Sequence, residues 1–373
     1  MTNRTYSTDA RAWVDVDLGA LVRNARALAE HSGKPLIPMV KADAYGLGAV
    51  AVVRALETLE PLAYGVSSLP EAIELRQAGI DRQVILFTPS MLESPDPEWI
   101  PSDMLLMQRH HVTPTLARRE HIVAWGNGGN KPRYHLAIDT GMHRAGAQPD
   151  QLDDLLEAIA EFPPEGAFTH LHSAECDDGT MEEQERRFAA AVARLPRRPH
   201  LLHVENSAGI VRRSPSAWDC VRPGVFLYGV GSGNKAALQP EPAVHLRARV
   251  LETRAIAAGE SVSYGATWRA VRPSRIATVA CGYADGLRRH LGNRAEALVN
   301  GQRVPIAGVV TMDMAMLDVT DVPCSVGDVV TFLGRDGEAT LTAESVAESG
   351  GLSPYELLVG LRLRLPRLYS GAW

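Results

Sequence analysis

The stretch Leu36-Ile37-Pro38-Met39-Val40-Lys41-Ala42-Asp43-Ala44-Tyr45-Gly46-Leu47-Gly48 decides how this chain is read. Its first five residues form a short apolar run bounded by Pro35, the pattern of a buried strand. Lysine is rarely fully buried without a partner. A lysine where such a strand emerges, just ahead of a glycine-containing turn, is a candidate nucleophile toward an aldehyde. Desolvation lowers its pKa and frees the amine to attack. A strand-end lysine that buries only its stem would look the same, so the choice depends on the rest of the chain.

Working outward from this stretch, short apolar runs alternate with helical patterns. Asp17 is placed to cap a helix carrying Leu18, Leu21, Val22, Ala25 and Leu28, and Gly33 lies beyond its end. After strand 36–41 the pattern predicts helices at 49–59, 71–77, 151–161 and 182–194. It predicts strands at 63–67, 84–87, 104–107, 134–138, 166–171, 201–203 and 225–228. About eight strand–helix units over some 230 residues fit a (β/α)8 TIM-type barrel of about 250 residues. Lys41, Asp139 and His170 then fall at the C-terminal ends of strands, where barrels carry reactive groups. Beyond Pro240 the texture turns to strands, at 244–256, 274–281, 297–310, 314–319 and 328–333. Asn300-Gly301 is a strong hairpin signal there. The expected division is a barrel over 1–240 and a C-terminal mainly-β domain over 241–373.

Composition narrows the function. Of the 373 residues, 45% are apolar and 22% charged, the balance of an ordinary globular protein. A net charge of −6 with no basic run argues against a nucleic-acid partner. Cys176, Cys220, Cys281 and Cys324 are too scattered for a Cys-x-x-Cys metal or redox pattern or a disulfide framework. The start, Met1–Ser7, is polar, and no run approaches the ~20 apolar residues of a membrane span. A cytoplasmic protein is expected.

Several groups could carry chemistry. Tyr45, Gly46 and Gly48 suit close approach by an anion such as phosphate. Asn206-Ser207 and Gly224-Val225 sit at later strand ends, where βα loops of barrels commonly hold phosphate; Ser207 could equally be a helix cap. Arg144 and Arg222 are fixed cations near the barrel mouth. An arginine bonded to a ring nitrogen would keep that nitrogen unprotonated. His170 and His172 alternate on one strand, but no acidic or cysteine set completes a metal site, so none is expected. Tyr264 and Tyr283 lie beside glycines in the β-rich part. A catalytic tyrosine also needs neighbouring cations, because its phenol titrates near 10 when unperturbed.

Taken in order, the motifs resemble the bacterial alanine racemase family of pyridoxal-phosphate enzymes. They are Lys41–Gly48, Asp139-Thr140-Gly141-Met142, Thr169-His170, Asn206-Ser207-Ala208, Val221-Arg222-Pro223-Gly224 and Val262-Ser263-Tyr264-Gly265. Gly282-Tyr283-Ala284-Asp285-Gly286, Met312-Asp313, Pro354-Tyr355-Glu356 and Arg364-Leu365-Pro366-Arg367 follow. They span nearly the whole chain. The resemblance implies a head-to-tail homodimer with shared active sites, in which a first strand near 11–16 pairs with the C-terminal domain. It implies that Lys41 holds pyridoxal 5'-phosphate covalently and acts as one base, with Tyr264 from the partner as the other. Tyr45, Asn206, Ser207, Gly224, Val225 and Tyr355 would hold the cofactor phosphate end. Arg222 would face the pyridine nitrogen, Arg144 the phenolic oxygen, and His170 would support Arg222 and Tyr264. Met312, Asp313, Tyr283 and Arg144 would meet the substrate. The implied activity is interconversion of L- and D-alanine, supplying D-alanine for peptidoglycan.

The chain departs from the family pattern at two places. Ala137 replaces a lysine, often carbamylated, two residues before the Asp of Asp139-Thr140-Gly141-Met142. Val309-Val310-Thr311 replaces the usual Arg-Val-Cys before Met312. These changes leave Lys41 and Tyr264 in place and bear on the substrate, so a broader set of small amino acids such as serine is the alternative. A barrel-type decarboxylase with the same cofactor would carry a glycine-rich phosphate loop and a late catalytic cysteine, neither of which is clear here. A non-catalytic cofactor-binding barrel would have no use for the β-rich region.

Overall fold

The computed structural model describes residues 10–89, 102–128, 133–232 and 238–371; the polar start at Met1–Ser7 lies outside them. The Asp17 carboxylate accepts from the Ala20 amide and begins the helix Leu18–Ser32, and a left-handed Gly33 ends it. Six short strands then pair in parallel and in chain order: Tyr64–Val66, Val84–Leu86, Val112–Leu116, His135–Ala137, Gly166–Phe168 and Leu201–His203. Segment 36–40 closes the circle. The Val40 amide donates to the Gly65 carbonyl at 2.8 Å, while the Ile37 and Met39 amides donate to Val221 and Pro223 at 2.8 Å each. The Asp219 amide in turn reaches the Leu202 carbonyl at 2.9 Å. The barrel thus has eight staves, the first and last being irregular segments rather than full strands.

Two expected strands are something else. Met104–Met107 lies in the helix Ser102–Arg109, with Met107 buried and Leu105 exposed. An apolar run of four fits either period. The strand here is Val112–Leu116, which Pro114 and two threonines conceal. Val225–Tyr228 is a short 3₁₀ turn, and the eighth stave precedes it at 219–223. The helix expected at 151–161 is divided into a 3₁₀ turn Leu152–Leu155 and a helix Leu156–Glu161.

The second sheet is built on Val244–Ile256, 13 residues long. It pairs antiparallel with Ala12–Asp17, Ser274–Val279 and Val329–Asp336. Ala12–Asp17 pairs on its other edge, in parallel, with Arg367–Ser370. Asn300 and Gly301, both at positive φ, turn the hairpin Glu296–Val299/Gln302–Pro305. One apolar core runs from the barrel into this sheet. Among the described residues no helix is long and apolar enough to cross a membrane.

Candidate active site

A cavity of about 990 Å³ opens at the C-terminal end of the barrel, lined by Lys41, Ala137, Asp139, Arg144, Thr169 and His170 among others. Lys41 enters it from an unusual turn. Ala42, Asp43, Ala44 and Tyr45 all hold φ between 51 and 57°, a left-handed turn made without glycine. Each such residue costs about 1–2 kcal/mol, so the surroundings must hold it in place. They do so with named bonds. The Ala42 amide donates to Glu71 at 2.8 Å, and the Ala49 amide donates to Asp43 at 2.7 Å. The Gly46 carbonyl accepts from Arg367 Nε at 3.0 Å and Nη2 at 2.8 Å, and Tyr369 donates to the Leu47 carbonyl at 3.0 Å. Burial and then the nearby Arg144 charge lower the Lys41 pKa against a partial pull from Glu71.

Tyr45 leaves the same turn into the barrel wall. Its ring lies 4.6 Å from Tyr228 and 6.4 Å from Tyr355, and burial pushes its phenol up. Gly224 faces the Tyr45 hydroxyl so closely that a Cβ would come within 2.8 Å of it. Ser207 Oγ accepts from the Gly224 amide at 2.9 Å and from Phe226 at 3.4 Å. Asn206, not Ser207, caps the helix Ser207–Arg212, accepting from the Gly209 amide at 3.1 Å. Tyr45, Ser207, Gly224 and Val225 therefore form one small polar cradle.

Arg222 is buried and heavily bonded. Nη1 donates to His203 Nδ1 at 2.9 Å and to the His203 carbonyl at 2.6 Å. Nη2 donates to the carbonyls of Thr169 at 2.7 Å and Val204 at 2.9 Å. Phe168 and Phe87 flank the guanidinium at 5.3 and 5.8 Å. Burial pulls its pKa down to about 10, leaving it a cation at neutral pH. Four of its five N–H groups are committed; the Nε–H is the fifth. The side chain bonded to Arg222 is His203. His170 lines the cavity, and its pKa falls to about 3 through burial and the charges of Arg222, Arg144 and Lys41. It stands as a neutral imidazole.

Arg144 is exposed at the mouth, on a loop shaped by Asp139, which accepts from the Gly141 amide at 2.9 Å and the His143 amide at 3.1 Å. Ala137 lines the cavity below it.

The β-rich part presents its tyrosines elsewhere. Tyr264 is 73% exposed, Met312 53% and Tyr283 39%, and none of the three lines the cavity. Ser263, at φ 67°, sets the chain direction into Tyr264, and its hydroxyl donates to the Val309 carbonyl at 2.7 Å. Thr311 closes a tight turn around Met312-Asp313, its hydroxyl donating to the Met314 carbonyl at 2.8 Å. Beneath that turn Asp285, fully buried, accepts from Arg11 at 2.8 Å and forms an ion pair with Arg364 at 3.2 Å, and Arg364 also donates to Asp313 at 2.8 Å. Sequence reasoning quoted Asp285, Asp313 and Arg364 in separate motifs without bringing them together, and it did not single out His203 or Arg11. His203 ends a predicted strand, as Lys41 does, and that was the available signal.

The alanine racemase N-terminal domain matches residues 16–232, and the alanine racemase C-terminal domain matches 243–369. The chain belongs to the alanine racemase family. It is 39% identical to the alanine racemase of Sorangium cellulosum (strain So ce56) over 373 residues, covering 95% of this chain and 98% of the relative. The crystal structure of alanine racemase from E. faecalis superposes with a TM-score of 0.87 at 32% identity, covering 96% of this chain and 98% of the other. The Bartonella henselae alanine racemase, solved with covalently bound pyridoxal phosphate, gives 0.87 at 29% identity over 97% of this chain and 100% of the other. Members of the family are isomerases with the barrel and β-domain arrangement found here.

Proposed function

We propose that this protein is a pyridoxal-phosphate amino-acid racemase that interconverts L- and D-alanine as a homodimer, with one half of each site supplied by the partner. The observation that carries this reading is the low-pKa Lys41, held by a strained turn at the rim of a large cavity that its own β domain does not reach. The residues suit the cofactor. The cradle of Tyr45, Ser207, Gly224 and Val225, with Tyr355 beside it, would take the phosphate. The uncommitted Nε–H of Arg222 would meet the ring nitrogen as a donor. Arg144 would face the phenolic oxygen.

When bound, the cofactor supplies the electron sink that makes the α proton of an amino acid labile. The protein's part is proton movement and orientation. The Lys41 amine, largely shielded from water, moves a proton on one face. The phenol of Tyr264 of the partner subunit moves one on the other, so inversion needs no single base to cross the substrate. Neutral His170 stands between the cationic barrel residues and that phenol. The tight turn at Met312-Asp313, together with Tyr283, would come from the partner to receive the substrate carboxylate. Arg222 cannot accept a proton, so the ring nitrogen stays unprotonated and side reactions are restrained.

Ala137, Val309 and Thr311 shape the substrate pocket, and serine or another small amino acid is expected to turn over beside alanine. The division at about residue 240, a cytoplasmic location and a supply of D-alanine to peptidoglycan belong to the same reading. The test is to incubate purified protein with L-alanine and follow chirality by chromatography and CO₂ in parallel. Inversion without CO₂, abolished in Lys41→Ala, is the expected result. Release of CO₂ would make the protein a decarboxylase, and borohydride fixing the cofactor to a lysine other than Lys41 would overturn the assignment.

A further inference from the structure

Below Arg222 a file of buried polar groups descends the barrel axis. His203 Nε2 lies 2.7 Å from His135 Nδ1, and both rings are completely buried. Phe168 stacks on His203 at 5.2 Å with 7° between planes. Gly166, on the strand beside His135, leaves the room: a Cβ there would fall 2.5 Å from His135 Nδ1. At the far end, His135 Nε2 faces Glu165 at 3.7 Å, an ion-pair distance longer than a hydrogen bond. The Glu165 carboxylate accepts from Gln83 at 2.7 Å and sits 3.4 Å from Arg133, whose side chain is at the surface.

Arg222 sets the bond directions from one end of this file. Arg222 has only donors, so His203 Nδ1 must accept. A neutral imidazole with an accepting Nδ1 carries its proton on Nε2, so His203 donates to His135 Nδ1. His135 then keeps its own proton on Nε2, pointing at Glu165. Burial and the Arg222 charge hold the His203 pKa well below its ordinary value, in agreement with the neutral ring. Burial alone would raise the Glu165 carboxyl, but His135, Gln83 and Arg133 more than offset it, so it lies below the usual carboxylate range.

We propose that Glu165, on the side of the barrel opposite the cavity, is a positioning residue for Arg222, acting through His135 and His203. Its charge favours a proton on His135 Nε2 and so reinforces, from the far end, the tautomers that Arg222 requires; only in that tautomer does His203 Nδ1 accept from Arg222. That acceptor completes the set begun by the carbonyls of His203, Thr169 and Val204, and leaves Nε–H for the site. The effect on catalysis rests on the reading of Arg222 given above; the tautomers do not.

The two are separated by one set of measurements on the dimer as purified and after cofactor removal. Protein labelled with ¹⁵N-histidine is compared for wild type, Glu165→Gln and Glu165→Asp. Wild type should show His203 and His135 as fixed Nε2–H tautomers, with His203 neutral at pH 7. Glu165→Gln should lose the fixed state of His135, lower kcat for alanine roughly threefold to tenfold and leave KM nearly unchanged, while Glu165→Asp restores the tautomers. A wild-type His203 protonated on Nδ1, or tautomers and kcat both unchanged in Glu165→Gln, would overturn the proposal. If the tautomers behave as stated but the loaded protein does not racemise, the reading of the site fails and the file of bonds stands.

Discussion

The barrel half of the site and the β-domain half are built on opposite plans. In the barrel half, Lys41 and Tyr45 stand on a turn bonded within the chain, and Arg222 is fixed by four acceptors on its guanidinium. In the β-domain half, Tyr264, Tyr283 and Met312 are held by their backbones and left bare. If the barrel groups meet a cofactor as proposed, they must do so in one geometry, which their complete surroundings suit. The bare groups, two phenol rings and a thioether, are exposed, and the proposed partner subunit would cover them. One chain therefore carries both a finished socket and an unfinished one.

The strongest way to break this contrast is subunit exchange. Lys41→Ala and Tyr264→Phe should each lower kcat by at least about 10³-fold. Mixed under conditions that exchange subunits, they should recover about a quarter of wild-type activity, because half the dimers are mixed and each holds one intact site. Proven exchange with no recovery would place Lys41 and Tyr264 in the same chain's site.

A smaller effect lies in the barrel half. Glu205 is completely buried and neither carboxyl oxygen has a hydrogen-bond partner among the described residues. Burial raises its pKa from 4.5 to about 7. A raised carboxyl is most favourable to folding below its unfolded value, and stability falls as pH rises to the folded value, then levels off. The loss is about 3 kcal/mol between those two values. Glu205→Gln should flatten this slope in denaturant titrations at pH 4.5, 6 and 8. A wild type equally stable at all three would remove Glu205 from the account.

In the β-domain half the corresponding buried carboxylate, Asp285, is fully paired. Asp285→Asn should loosen the Met312-Asp313 turn and raise KM for alanine by about 2 kcal/mol, roughly thirtyfold, with kcat less affected. A change confined to kcat would show that the turn does not meet the substrate. The finest distinction concerns pocket shape. Ala137→Lys with Val309→Arg should shift the ratio of kcat/KM for alanine over serine toward alanine by about 1 kcal/mol, near fivefold. An unchanged ratio in a well-folded double variant would show that these positions do not set the preference.

Much of this was legible in the residues. Asp17, Gly33 and Asn300-Gly301 announce their turns by local chemistry, and each turn is where those residues put it. Lys41 was found because burial and charge conflict at a strand end. The left-handed turn after it was not, since nothing in Ala42-Asp43-Ala44-Tyr45 prefers positive φ; the bonds that enforce it come from Glu71, Arg367 and Tyr369, far away in sequence. Met104–Met107 is helical and Val112–Leu116 is a strand with no sequence expectation, because four apolar residues lack a period and a proline disguises a strand. His135 and His203 meet across the core, though 68 residues separate them. Such pairs are set by which staves face each other, and the spacing of a sequence does not reveal that.

The strand Ala12–Asp17 is synthesised before either of its neighbours, Val244–Ile256 and Arg367–Ser370. Ala12 pairs with Ala248 and Val14 with Arg367. At roughly 5–20 residues per second, about ten to fifty seconds of synthesis separate this strand from the first of its partners. The eight staves of the barrel are complete by residue 223 and can close in that interval. During it the strand, with Trp13, Val14 and Val16 along it, has two open edges and no sheet to join. A long-range pairing of this kind is slow because loop closure precedes its reward. The sheet is thus completed only when an early segment is captured between two made long after it.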